Sequence, residues 1–142
     1  MAEVKDSAID WVAKHTREYV EPDGEKGHEW NGVRTLVLTT TGRKSGDKRR
    51  NALIYGEDGD NYVVVASKGG APNHPHWYLN LVADPHVHVQ VGSEKFNAIA
   101  RTATPEEKPR LWRMMAEIWP KYDEYQAKTD RDIPVVILEP SG

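Results

Sequence analysis

The chain has 142 residues and no cysteine, which removes disulfides, thiol nucleophiles, iron–sulfur clusters and thiolate metal sites together and leaves redox chemistry to a bound cofactor. A mass of 16.1 kDa fits one domain, residues 1–142, large enough to bury a real core. The formal charge of -3 and pI near 6.1 exclude nucleic acid as the main partner, because phosphate binding calls for a domain-wide basic face.

From Ser7 to Val20, Ile9, Val12, Ala13, Thr16, Tyr19 and Val20 recur at helical spacing, with Asp6 or Ser7 as N-cap. This predicts an amphipathic helix over one edge of the core. Its polar side also suits peripheral contact with the inner face of a membrane. No signal-type apolar stretch opens the chain and no run approaches the ~20 apolar residues that span a bilayer, so a cytoplasmic location is expected. Glu21 to Gly32, with Pro22, Gly24 and Gly27 among charges, reads as a loop.

The β-rich half begins with Val33 to Thr40, which places Val33, Thr35, Val37 and Thr39 on one face and Leu36 and Leu38 on the other. A basic turn follows, Thr-Thr-Thr-Gly-Arg-Lys-Ser-Gly-Asp-Lys-Arg-Arg from Thr39 to Arg50. Its glycines allow left-handed geometry and unpaired N–H groups aimed at one spot, so the turn suits an anion. It is not a Walker A loop, because Asp47 follows Gly46 where that motif needs lysine.

Arg49 to Tyr55 is the expected returning strand, and Glu57-Asp58-Gly59-Asp60 a hairpin loop into Asn61 to Ser67, whose Val63-Val64-Val65 predicts burial on both faces. Ser67-Lys68-Gly69-Gly70 at its end is expected to be a ligand edge, since glycine lets a flat ring approach. Trp77 to Ala83 reads as a short helix, and His86 to Val91 with Glu94 to Ala103 as a hairpin through Gly92-Ser93.

Thr104-Pro105-Glu106-Glu107 has the form of a capping box, starting a helix that runs to about Trp119 with Trp112 and Trp119 packed inward. Pro109 removes one early hydrogen bond. Beyond Pro120, Tyr122 to Lys128 forms a further turn or two, with the Tyr122 and Tyr125 hydroxyls at a cleft mouth. Ile133 to Leu138 is the last strand. Six or so short strands joined by hairpins, with helices before and after, predict an antiparallel sheet curled into a barrel.

His74 with His76, and His86 with His88, put two imidazoles on one side of an extended chain. Neither pair has a clear third ligand, so no metal site is expected.

Three stretches in matching order resemble one family: Leu36 to Asn51, Ala66 to Pro85 with Ser-Lys-Gly-Gly and Trp-Tyr-Leu-Asn-Leu, and Tyr122 to Pro140 with Tyr-Gln-Ala-Lys-Thr-Asp-Arg-Asp-Ile-Pro. They are similar to the deazaflavin-dependent nitroreductases of actinobacteria. The resemblance implies an α+β split β-barrel that uses coenzyme F420, a 5-deazaflavin carrying a phosphate and an oligoglutamate tail, as hydride donor. It assigns Arg43, Lys44, Ser45 and Arg49 to the phosphate and tail. Arg50, Asn51, Ala52, Leu53 and Ile54 would run past the cofactor. Val65, Ala66, Ser67 and Lys68 would flank the ring, and His76, Trp77, Tyr78, Leu79 and Asn80 would complete its cradle.

The substrate side falls on Tyr122 and Tyr125, with Trp119 and Ile54 at positions where relatives have tyrosine. Tyr122 would also touch the cofactor. Ser67, Tyr122 and Tyr125 would serve catalysis, stabilising negative charge on the oxygen of a quinone, an enone or lactone, or a nitroaromatic. The competing readings are a carrier of F420 without turnover, and a flavin or haem split-barrel protein.

Overall fold

The structure, a computed structural model, describes residues 4–6, 29–30 and 33–141. The helix expected over Ser7 to Val20, and with it the proposed membrane contact, lies outside the described residues. In chain order the described elements are β1 (Val4–Asp6), β2 (Glu29–Trp30), β3 (Val33–Thr41), β4 (Lys48–Ile54), β5 (Gly56–Asp58), β6 (Asn61–Val65), a 3-10 turn (Lys68–Gly70), α1 (His76–Ala83), β7 (His86–Val91), β8 (Glu94–Thr102), α2 (Lys108–Ile118), α3 (Lys121–Ala127) and β9 (Val135–Pro140).

The six strands that alternation predicts are present. Three more, β1, β2 and β5, have only two or three residues each, too few to carry a readable period. β2 stands inside the stretch read as a loop, and β1 inside the lead-in to the first helix.

The strands form one sheet in the order β1-β4-β3-β7-β8-β9-β6-β5, with β2 on β3. All neighbours are antiparallel except β1 on β4, where Val4 to Asp6 run beside Lys48 to Arg50. The sheet curls until β4 and β6 touch, yet the two share no ladder. This is a barrel split along one seam.

Each face of the sheet carries its own apolar core. On one, Leu36, Leu38, Val64, Val87, Val89, Val136 and Leu138 close around Trp77 and Leu81, which α1 supplies one helical turn apart. On the other, Val63, Val65, Val135 and Ile137 pack against Leu111 and Met115 of α2 and Tyr122 of α3. Val63 to Val65 are therefore buried on both faces, as their unbroken apolar run requires.

The capping box forms: Glu107 N–H donates to Thr104 Oγ1 at 3.3 Å and Thr104 N–H to Glu107 Oε1 at 3.0 Å. Arg101 grips the same carboxylate with two further bonds of 2.7 and 3.0 Å. Regular helix nonetheless begins only at Lys108, next to Pro109, which has no N–H to continue the ladder. Trp112 and Trp119 are half-buried rather than inward, because Leu111 and Met115 occupy the core-facing stripe and the indoles spend their N–H groups on Asp123 and Tyr125.

Candidate functional site

β1 covers the outer edge of β4 only at Lys48 to Arg50; beyond that, among the described residues, Asn51 to Ile54 have no strand partner on that edge. Asn51, Ala52, Leu53 and Ile54 are all half-buried, whereas Leu36, Val37 and Leu38 of the adjoining β3 are closed off. At one end of β4 sits the basic turn; across the seam sits the end of β6 with its Ser67-Lys68-Gly69-Gly70 corner.

The basic turn differs from expectation in where its backbone donors go. Gly42 N–H donates to the Asp47 carbonyl at 2.7 Å and Gly46 N–H to the Gly42 carbonyl at 2.8 Å. Asp47 N–H is taken by Ser45 Oγ at 3.2 Å, and Arg43 N–H by Asn80 Oδ1 at 3.2 Å. Those four N–H groups are spent within the fold, so at these positions an anion would be met by side chains. Arg43 and Lys44 are exposed. Lys44 and Arg49 make no ion pair among the described residues, which suits a charged ligand better than a neutral one.

Asn80 anchors the turn. Buried in α1, it also accepts from the Arg43 guanidinium at 3.0 Å and donates to Thr40 Oγ1 at 3.2 Å. Arg49 stands beside Thr40 and Arg50 beside Thr39 in the β3–β4 register, so the two arginines lie on opposite faces of the strand. Arg50 joins Thr39, Lys48, His86, His88 and Lys95 around a shallow groove of about 650 Å³. The structure thus parts Arg50 from the Arg43 and Asn80 side.

The corner is left-handed over three consecutive residues, with φ of 47° at Lys68, 63° at Gly69 and 83° at Gly70. Among the described residues Lys68 is the one non-glycine with positive φ, a conformation that costs a side chain of this kind about 1 kcal/mol. The Lys68 side chain is exposed and has no partner among the described residues.

A residue given no role in the sequence reading holds this corner. Arg131 donates from Nη1 to the Ala66 carbonyl at 3.0 Å, from Nη2 to the Ser67 carbonyl at 2.7 Å and from Nε to the Ala71 carbonyl at 3.1 Å. His74 Nδ1 lies 2.9 Å from Nη1. Burial and the Arg131 charge hold the His74 pKa below the ordinary histidine value, keeping the ring neutral as an acceptor. His74 is thereby committed to Arg131, while His76 stands exposed at the start of α1.

The remaining residues of the expected cradle divide by burial. Trp77 is a core residue, and the Tyr78 hydroxyl is 2.9 Å from Thr102 Oγ1. Leu79 is half-buried. The helix that carries them must cover the first core face, and that requirement claims Trp77 before any ligand does.

On α3, the Tyr122 ring packs in the core, 4% exposed. Its ring meets Tyr125 edge-on at 6.1 Å between centroids. Burial drives its phenol pKa well above the usual value, so the hydroxyl keeps its proton; that hydroxyl makes no hydrogen bond among the described residues. Tyr125 is half-buried and accepts from Trp119 Nε1 at 3.4 Å, which leaves its own O–H available to donate. Ile54 packs into the same cluster from β4.

The model of a family described as F420H(2)-dependent quinone reductase matches residues 11–140. An F420H(2)-dependent quinone reductase of Mycobacterium tuberculosis is 41% identical over 128 residues, covering 87% of this chain and 86% of its own. The chain belongs to the F420H(2)-dependent quinone reductase family.

Solved structures agree. The F420-H2 dependent reductase FDR-A is 47% identical, with a TM-score of 0.69 over 74% of this chain and 93% of its own. A protein solved as a domain-swapped dimer is 42% identical, with a TM-score of 0.70 over 94% and 100%. The split barrel is thus that of the F420H(2)-dependent quinone reductases, the chain is an F420H2-dependent reductase, and F420 is its cofactor. The residues present fit that molecule: Arg43 and Lys44, exposed and without carboxylate partners among the described residues, suit a phosphate and polyglutamate tail, and the Asn51–Ile54 edge of β4 with the bare Gly69 suits a flat ring.

The arginine that grips the corner was hidden in sequence within Thr-Asp-Arg-Asp-Ile-Pro, where it looks like one more charge in a polar turn. Its carbonyl partners stand about sixty residues earlier. No local pattern announces such a contact.

Among the described residues no helix is long and apolar enough to cross a membrane, and no group of three histidine or acidic side chains is placed to hold a metal ion.

Proposed function

We propose that this chain, acting in the cytoplasm as one deazaflavin-binding domain, reduces quinones, with enones, lactones and nitroaromatics as poorer acceptors. Bound F420 supplies a two-electron hydride donor. Arg43, Lys44, Ser45 and Arg49 would hold its phosphate and tail, and Asn51 to Ile54, Val65 to Lys68, His76 and Leu79 would hold its ring along the seam.

The single observation that supports this reading is the pair of phenols beside Ile54 and Trp119. Tyr122 keeps its proton at any working pH and has no intramolecular hydrogen-bond partner among the described residues. Tyr125 has its oxygen engaged by Trp119 and its proton free. An acceptor that gains negative charge on oxygen is met by two donors whose positions the core fixes in advance, the arrangement that stabilises a developing oxyanion best. The flanking Trp119 ring favours a planar acceptor. Arg131 ties down the Ser67 carbonyl, which holds the Ser67 hydroxyl beside the same corner.

Stopped-flow mixing of enzyme and F420H2 with naphthoquinones, a coumarin-like lactone and a nitroaromatic follows cofactor oxidation directly. Quinones should react fastest. Faster reduction of the nitroaromatic would overturn the assignment of substrate, and no oxidation by any acceptor would make the chain a carrier. Peripheral contact with anionic membranes through Ser7 to Val20 fits this reading and is tested by vesicle sedimentation with and without that segment.

A further inference from the structure

Three successive left-handed residues are an unusual stretch of backbone, and one of them is a lysine. A strained corner persists only where its surroundings leave it no alternative. Here Gly70 packs against the backbone of α3 at Tyr125, and one side chain holds the carbonyls on either side of the run. Arg131 takes the carbonyls of Ala66 and Ser67, just before the left-handed run, and of Ala71, just after it. The planar guanidinium presents its donors in a fixed fork, so the three carbonyls must keep the spacing that the fork dictates.

His74 completes the frame by accepting from Nη1. Ring contact of His74 with Tyr78 at 4.9 Å ties that frame to α1. The charged and titratable groups in contact are thus Arg131, His74 and Tyr78, with no carboxylate bonded to Arg131 or His74 among the described residues.

We infer that Arg131 is a positioning residue of the reductase: it fixes the corner at Ser67 and the left-handed Lys68–Gly70 run in the shape that receives the deazaflavin ring. The inference rests on the proposal that this corner flanks the ring. Lysine at position 131 could keep the charge and much of the volume, yet a single ammonium cannot reproduce a three-carbonyl fork.

The test measures binding of F420 and of the deazaflavin riboside that lacks phosphate and tail, by fluorescence titration of the full-length chain. Arg131→Lys and Arg131→Ala should weaken both ligands by the same factor, tenfold or more, while circular dichroism stays as in the parent. Lys44→Ala should weaken F420 alone. Methylguanidinium, but not methylammonium, should restore part of the affinity to Arg131→Ala.

Gly69→Ala probes the corner without touching the arginine. A Cβ there meets no atom within 4 Å, and only the positive φ of 63° opposes it. It should lower both affinities in parallel, and it decides the matter should the arginine variants fail to fold. Wild-type affinity for both ligands in folded Arg131→Lys or Gly69→Ala overturns the inference. Absence of F420 binding by the unaltered chain would instead refute the reading on which it rests.

Discussion

A Cβ placed on Gly70 would lie 2.7 Å from the backbone carbonyl oxygen of Tyr125 and 3.0 Å from its Cα. The corner that flanks the proposed ring and the helix that faces the proposed acceptor therefore touch backbone to backbone. Neither can shift alone.

Gly70→Ala should accordingly damage both sides at once. The added methyl must push α3 away and the residue also sits at a φ of 83°, so a loss of roughly 2–4 kcal/mol in stability is expected from the clash and the strained backbone together. Thermal melting with paired titrations of F420 and acceptor checks this. An unchanged acceptor KM in a folded variant would show the two sides to be uncoupled.

Tyr122→Phe removes a donor while keeping the buried ring. Turnover should fall about 10²-fold, the usual cost of losing one oxyanion donor, while the Kd for F420 moves little. Lys44→Ala should do the reverse, raising the F420 Kd about tenfold, ~1.4 kcal/mol, and leaving saturated turnover near the parent value. Pre-steady-state kinetics separates the two effects.

Asn80→Ala should loosen the basic turn without removing a cation. It strips Arg43 N–H of its acceptor and leaves buried Thr40 without its amide partner, at a cost of about 1–3 kcal/mol. Affinity for F420 should drop while affinity for the riboside without a tail is kept. Equal losses on both ligands would place Asn80 with the ring instead.

His74 should make stability depend on pH. Its folded pKa is depressed below the ordinary 6.5, first by burial and then by Arg131, so the unfolded chain takes up the proton more readily. The stabilisation is complete above pH 6.5 and is lost as pH falls from there through the lower folded value. Melting temperatures measured from pH 8 to pH 5 should drop more steeply for the parent than for His74→Gln.

Glu107 should act in a lower window. Arg101 and the Thr104 backbone N–H pull its pKa from 4.5 to about 2, so its contribution is present above pH 4.5 and fades as pH falls toward 2. Glu107→Gln should melt below the parent at pH 7, with the gap closing on acidification.

Much of the proposed site consists of local sequence features. Gly46 in a run of cations and Ser-Lys-Gly-Gly after a buried valine strand are local features, and they stand where such features belong, at strand ends. What local reading misjudged is how side chains are shared between ligand and core. Trp77, Tyr122 and Asn80 look like presented groups in one dimension. Trp77 and the Tyr122 ring are drawn inward to close the two core faces, and Asn80 to bond the basic turn.

By itself the sequence determined the six main strands, both capping and turn chemistry, and the presence of a basic hairpin, because these depend on residues a few positions apart. Tertiary structure alone decided that β4 and β6 meet unpaired, that Asn80 reaches the basic turn, and that Arg131 reaches back to Ser67. Those outcomes depend on where a curled sheet brings distant backbone together, and short-range periodicity carries no information about such closure.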